Sequence, residues 1–395
     1  MDIFDRYYRV YASINLDYIE DNLKKIKGRI NKDTKLIAVI KTDAYGHGAT
    51  MIAKHASADV DGFAVATVDE ALQLRKEGIS KPVIVLGYVN PGRYDEMINN
   101  DIRFTLFKTE DAHAISAEAK KLNKQALVHI KADTGMGRIG FMVYNERDIE
   151  KTAEIISDIN KIDNLEIEGL YTHFALSDSV DKSFFDIQFN RFKGLIQSIE
   201  KLGMNIPVKH CSNSAAIIDI PKANLDAVRV GIALYGLEPS DEVDIKKIGL
   251  KQAMEVKSHI IYIKDVPAGT SIGYGRTFIA EKDSRIATVP VGYGDGYPRN
   301  LSNKGYVLVK GIKVPIVGRI CMDQFMIDIT GIDNIKEGDV VTLAGYDNGE
   351  FIDISELATC ASTFNYEFVC DIGKRVPRIY YKNGEIVGAK DYFYE

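Results

Sequence analysis

The stretch Val39-Ile40-Lys41-Thr42-Asp43-Ala44-Tyr45-Gly46-His47-Gly48 decides how the rest of the chain is read. An apolar run from Leu36 to Ile40 has the composition of a buried strand, and it ends at a lysine that enters a Gly-rich turn. A lysine so placed is held rigidly, partly desolvated and aimed at a pocket. Desolvation lowers an ammonium's pKa, and the neutral amine is the form that attacks an aldehyde to give a Schiff base. A lone lysine after a strand would serve equally as a salt-bridge partner, so the reading depends on its surroundings.

Outward from this run, seven more β-branched runs recur, at residues 62–66, 82–86, 103–107, 126–131, 166–171, 207–211 and 227–231; with 36–41 they make eight strand candidates. Segments of helical period lie between them. Leu16, Ile19, Leu23, Ile26 and Ile30 step by three or four, as do Phe185, Phe189, Phe192, Leu195, Ile199 and Leu202 before a terminating Gly203. Eight β-then-α units imply a closed parallel barrel. After about Leu250 the pattern changes to period two with Gly and Pro punctuation, in 259–266, 285–291, 306–317, 324–330 and 339–344, with Lys310-Gly311-Ile312 as a hairpin turn. The expected architecture is α/β: an N-terminal (β/α)8 TIM-like barrel over residues 11–247, and a C-terminal mostly antiparallel β domain over 248–395, with residues 1–10 packing on the latter.

A length of 395 residues suits two domains, and 46% hydrophobic with 27% charged residues is the balance of an ordinary globular chain. A net charge of −6 without any Lys/Arg-rich block argues against nucleic acid as a partner. Met1-Asp2-Ile3-Phe4-Asp5-Arg6 is acidic where a signal peptide is basic, and no window approaches a membrane span, so a cytoplasmic protein is expected. Cys211, Cys321, Cys360 and Cys370 lack metal or redox spacing, and the seven histidines show no ligand motif, so no metal site is expected.

Barrel active sites lie beyond the carboxyl ends of the strands. There the chain carries Lys41 after strand one, and Lys131 followed by Asp133-Thr134-Gly135-Met136-Gly137-Arg138 after strand five. Tyr171-Thr172-His173 follows strand six, Ser212-Asn213-Ser214 strand seven, and Arg229 lies in strand eight before Gly231-Ile232. Loops after the last two strands are the usual phosphate site, and Ser214 with the amides of Gly231 and Ile232 suits it. Taken alone, Asn213-Ser214 is also an ordinary helix N-cap, and His173 a satisfied structural histidine.

These segments together resemble the alanine racemase family over nearly the whole chain, second domain included. The resemblance implies an isomerase that interconverts L- and D-alanine with pyridoxal 5′-phosphate (PLP) and supplies D-alanine for peptidoglycan. Lys41 is similar to the family's PLP lysine and to its base for the D-enantiomer, and Tyr45 to a phosphate contact. Arg138 resembles the arginine that steers cofactor hydroxyl and substrate carboxylate. Lys131 matches a lysine that is carbamylated in many members, and Arg229 the residue facing the pyridine nitrogen. Asn213, Ser214, Gly231 and Ile232 fall with the phosphate loops, and His173 resembles the link from Arg229 to a second base.

Racemisation needs a proton removed on one face and delivered on the other, so one lysine does not suffice. Ile272-Gly273-Tyr274-Gly275-Arg276-Thr277 resembles the family's catalytic tyrosine loop, making Tyr274 the L-side base. An ordinary tyrosine, with a pKa near about 10, needs cationic neighbours for that task; in isolation this one reads as a surface tyrosine in a turn. The resemblance puts Tyr274 and Met322, whose amide meets the substrate carboxylate, in the partner subunit's site, implying a homodimer with shared active sites. Tyr293 and Tyr366 resemble two tyrosines that narrow the access channel. A racemase of another small amino acid such as serine, a non-catalytic PLP-carrying barrel, and a related-fold decarboxylase using Cys321 are the competing readings.

Overall fold

The computed structural model describes Tyr7 and residues 9–394, apart from the side chain of Lys246. Among the described residues, eight parallel strands close on themselves: Lys35–Val39, Gly62–Val65, Val83–Val85, Ile102–Leu106, Ala126–Asp133, Leu165–Tyr171, Val208–His210 and Ala227–Val230. The last pairs with the first from Ala227 opposite Lys35 to Val230 opposite Ala38. Strands buried on both faces read as continuous apolar runs, which is why they stand out in the sequence. The helices around them bury one stripe each, as in Ser183–Lys201 with Phe185, Phe189, Phe192, Leu195 and Ile199 inward.

The second sheet has eleven strands among the described residues, nearly all antiparallel. Its hairpin at 310–311 joins Tyr306–Val309 to Ile312–Val317, with Lys310 at φ 54° and Gly311 at φ 78°, the positive values that a tight hairpin demands. One boundary differs from expectation. Residues 11–15, placed in the barrel by the sequence, belong to strand Val10–Asn15, which lies antiparallel to Met254–His259 and parallel to Arg378–Lys382 in the second sheet. Its partners sit more than two hundred residues further on, so no local pattern announces the pairing. The barrel starts at helix Leu16–Lys27, which Asn15 caps by accepting from the Tyr18 N–H. Of the amino-terminal segment, Arg9 reaches the second domain at Asp295 (2.6 and 2.9 Å) and the Pro290 carbonyl. Residues 1–6 and 8 lie outside the described residues.

The connection after the first barrel strand is exceptional. Thr42, Asp43, Ala44 and Tyr45 take φ of 54°, 51°, 57° and 52°, a left-handed turn in four successive residues that all bear a Cβ. Each pays roughly 1–2 kcal/mol for that conformation. What holds it comes from several directions. Glu70 Oε1 accepts the Thr42 N–H at 2.6 Å, and Asp43 Oδ1 accepts the Ala49 N–H at 2.7 Å. From the end of the chain, Lys390 Nζ lies 3.1 Å from Asp43 Oδ1, and the Tyr392 hydroxyl donates to the same carboxylate. Arg378, buried, donates from Nε to the Gly46 carbonyl at 2.8 Å and from its other nitrogens to the Gly373, Val376 and Ile372 carbonyls.

Arg378→Met removes these donors and strands buried carbonyls at roughly 1–3 kcal/mol each, so a loss of about 3 kcal/mol or more is expected. Denaturant unfolding checks it: a midpoint within error of the unsubstituted protein would mean that this clamp is not needed.

Candidate active site

A cavity of about 700 Å³ opens at the carboxyl ends of the barrel strands. Lys41, Arg138, His173 and Arg229 reach it from the barrel, and Tyr366 from helix Asn365–Asp371 of the second domain. Burial of several basic groups beside one another disfavours their charged forms. Burial, with the Arg138 guanidinium next, lowers the Lys41 pKa from its ordinary 10.5. Lys131 is buried deeper, its Nζ donating to the Ala132 carbonyl at 3.3 Å, and burial with Arg229 and Arg138 nearby takes it well below that value. His173 goes well below 6.5 by burial and then by the same cations, leaving a neutral imidazole.

Arg229 is the fixed point of the group. Nη1 donates to His210 Nδ1 at 2.8 Å, and Nη2 to the Thr172 carbonyl at 2.9 Å and to His173 Nδ1 at 3.2 Å. Its Nε has no protein acceptor among the described residues, while the residue lines the cavity. Burial lowers even its pKa.

On the other side of the cavity, Ser214 Oγ accepts the N–H groups of Gly231 at 2.9 Å and Ala233 at 3.4 Å. A Cβ on Gly231 would come within 2.9 Å of the Tyr45 hydroxyl, so the glycine makes room for that hydroxyl. Ile232 lines the same wall. The Asn213 side chain does what an N-cap does, accepting from the Ala216 N–H at 3.0 Å and from the Ser177 hydroxyl at 2.9 Å.

Residues 14–239 match the family model "Alanine racemase, N-terminal domain", and residues 253–380 match "Alanine racemase, C-terminal domain". The chain belongs to the alanine racemase family. It is 46% identical to an alanine racemase of Methanococcus maripaludis over 94% of this chain and 98% of that one. Among solved structures, it resembles an alanine racemase of Clostridium difficile 630, with a TM-score of 0.92, 42% identity and coverage of 97% and 98%. A second neighbour is the Bacillus anthracis alanine racemase with bound L-Ala-P, at a TM-score of 0.88, 38% identity and coverage of 98% of each chain.

The family's cofactor is PLP, and the cavity fits it on its own terms. It offers a lysine whose pKa burial lowers, an unengaged guanidinium N–H for a ring nitrogen, and a glycine-relieved nook between Tyr45 and Ser214 for a phosphate. The second-domain match also fills the place where a decarboxylase would differ, and Cys321 Sγ is turned to the Arg319 carbonyl at 3.5 Å.

Three of the residues singled out in the sequence are not in this cavity. Tyr274, Met322 and Tyr293 stand on the second domain with 69%, 53% and 43% of their surface exposed. The Tyr293 and Gly294 amides donate to the Cys321 and Met322 carbonyls, fixing the loops to each other, and Asp323 is held by Arg375 at 2.8 Å. Sequence reading missed Glu70 and Asp43 as braces of the turn that follows Lys41. A carboxylate inside a turn that begins at the key lysine was the available signal.

The depressed Lys41 pKa fixes a sign. The reactive free amine accumulates as pH rises, so the rate at which cofactor-free protein captures PLP should climb with a half-point below 10.5. Arg138→Gln removes one lowering influence and should move the half-point upward. Stopped-flow absorbance measures it, and a half-point that stays put or falls would contradict the assigned cause.

Proposed function

We propose that this chain interconverts L- and D-alanine with PLP held at the barrel mouth, in a site that a second copy of the chain completes. The observation that carries the reading is Lys41: a strand-end amine whose pKa burial lowers, lining the same cavity as Arg229, whose Nε has no protein acceptor among the described residues. When bound, PLP supplies an electron sink that acidifies the Cα–H of an amino acid joined to its aldehyde carbon. Arg229 is a donor only and keeps its proton, so a ring nitrogen opposite it stays unprotonated and the sink is moderate, which disfavours transamination. Tyr45, Ser214, Gly231 and Ile232 are assigned to the phosphate, with Asn213 shaping that loop.

Lys41 takes or returns the proton on one face of Cα. The partner subunit's Tyr274 serves the other face, approaching the Arg229 cation and the neutral His173 ring that hydrogen-bonds to it. Arg138 and the partner subunit's Met322 amide orient the substrate carboxylate, and Lys131, being readily neutral, is suited to carbamylation and to steadying Arg138. Tyr366 and the partner subunit's Tyr293 narrow the access path in favour of a methyl side chain. Exposed Tyr274, Met322 and Tyr293 support the dimer, because large apolar or aromatic groups gathered on one face of a chain mark an interface. A cytoplasmic setting and delivery of D-alanine to peptidoglycan synthesis follow from the same reading. Among the described residues no helix is long and apolar enough to cross a membrane.

Tyr274→Phe should leave fold and cofactor binding intact and cut conversion of D- to L-alanine by about a hundredfold or more, the usual worth of a positioned acid/base, while Cα–H exchange of D-alanine with solvent survives. Because the equilibrium constant of a racemisation is one, kcat/KM falls equally in both directions; a loss of only a few-fold, or a matching loss of Cα–H exchange from D-alanine, would sink the two-base assignment.

Mixing Lys41→Ala with Tyr274→Phe subunits tests the shared site. Random exchange makes about half the dimers mixed, each with one intact site, so roughly a quarter of the unsubstituted activity should return. Absent recovery despite demonstrated exchange would put both bases in one chain.

A further inference from the structure

Branched apolar side chains ordinarily fill the inside of a (β/α)8 barrel. Here a line of polar groups runs through it. Arg229 Nη1 is 2.8 Å from His210 Nδ1, His210 Nε2 is 2.9 Å from His129 Nδ1, and His129 Nε2 is 3.0 Å from Glu168 Oε2. Arg103 closes the far end, with Nε 3.0 Å from Glu168 Oε2 and Nη2 3.3 Å from Oε1. Arg229, His210, His129 and Arg103 are buried, and Glu168 is partly exposed. Arg103 stands near the amino end of its strand, whereas Arg229 faces the cavity at the carboxyl ends. The line therefore joins the two ends of the barrel.

The ends dictate every proton between them. A guanidinium only donates, so His210 Nδ1 must accept and the ring's proton sits on Nε2. That N–H donates to His129 Nδ1, which places the His129 proton on Nε2, facing the carboxylate. Both rings are neutral in this arrangement, since a second proton on either would set two donors against each other. Burial lowers the pKa of His129 and takes that of His210, beside Arg229, well below the ordinary value. Burial alone raises the Glu168 pKa, but the hydrogen bonds from His129 and Arg103 outweigh it and hold the carboxyl down to about 2. The backbone also makes room for the line: a Cβ on Gly169 would lie 2.2 Å from His129 Nδ1, and the strand register shifts at His129.

We propose that Glu168 is a positioning residue for Arg229, acting across the barrel through His129 and His210. The carboxylate draws on the His129 N–H, which strengthens that ring's Nδ1 as an acceptor and in turn sharpens His210 Nδ1 as the acceptor for Arg229. Arg229 is thereby pinned at Nη1 and presents Nε to the cavity. The inference rests on the reading that Arg229 faces the cofactor's ring nitrogen.

The test uses ¹⁵N-histidine-labelled full-length holoenzyme near neutral pH, repeated after cofactor removal. His129 and His210 should both be neutral with the proton on Nε2; an imidazolium, or a proton on Nδ1 of either ring, overturns the proposal. Glu168→Gln keeps the shape and removes the charge, and should shift the His210 signals and lower kcat roughly three- to thirtyfold with little change in KM for alanine. His129→Leu cuts the line, and adding Glu168→Gln to it should then change nothing further. Additive losses would mean that Glu168 acts by another route and overturn the proposal. Should His129→Leu not accumulate as folded protein, the His210 signals in Glu168→Gln decide, and unmoved signals overturn it. An unsubstituted protein that neither binds PLP nor racemises alanine would strike at the underlying active-site reading instead, and the histidine spectra tell the two failures apart.

Discussion

Everything about the site depends on one constrained connection, the left-handed turn at Thr42–Tyr45. It swings Tyr45 into the cavity immediately after Lys41, within a span too short for an ordinary strand-to-helix loop to do so. The conformation is costly for residues with a Cβ, and only the surrounding contacts make it the stable one. Asp43 is the knot: its carboxylate accepts from the Ala49 backbone on one side and holds Lys390 and Tyr392 on the other. Burial raises its pKa, but Lys390, Tyr392 and the Ala49 N–H outweigh this and keep it lowered. The second domain is thus part of the machinery that holds the first barrel strand's lysine, even before any residue of a partner is considered.

Polar groups inside the barrel follow a common logic. Two basic groups at the cavity, Arg229 and Lys131, are met by neutral acceptors rather than by a carboxylate in hydrogen-bond contact. Arg229 meets two histidines and backbone carbonyls, and Lys131 meets a carbonyl and the face of Tyr171 at 4.9 Å. A carboxylate beside either would quench the field that an anionic phosphate and a substrate carboxylate need. Glu168, the carboxylate that hydrogen bonds link to Arg229, is kept two imidazole rings away.

Much of this was legible in the sequence because its cause is local. Barrel strands announce themselves as apolar runs, and the strand-end residues Lys41, Lys131, His173 and Arg229 line the cavity where a barrel's geometry puts them. What escaped is what depends on distant pairing. Val10–Asn15 looks like any strand and says nothing of Met254–His259, and Asp43 looks like a surface turn residue until Lys390 is brought beside it. The helix Asn365–Asp371 lies beyond the period-two runs and was not anticipated in a domain read as mostly β, though its Tyr366 was recognised by resemblance. Tyr274 shows the complementary limit: a single chain leaves it in solvent, so its role is invisible to the geometry of one copy.

The clamp on the left-handed turn also sets an order of events during synthesis. Lys41 leaves the ribosome when most of the chain is still unmade, and Lys390 and Tyr392 follow about 350 residues later, roughly 20–70 seconds at ordinary elongation rates. Through that interval the turn at the end of the barrel's first strand has only its nearby braces, Glu70 on Thr42 and the Asp43–Ala49 bond, to hold its unfavourable backbone. The full set of contacts around the turn that follows the lysine is therefore complete only when the last strand docks. Maturation of the site is tied to completion of the polypeptide, and a prematurely terminated chain could contain every barrel residue of the cavity and still fail to assemble it.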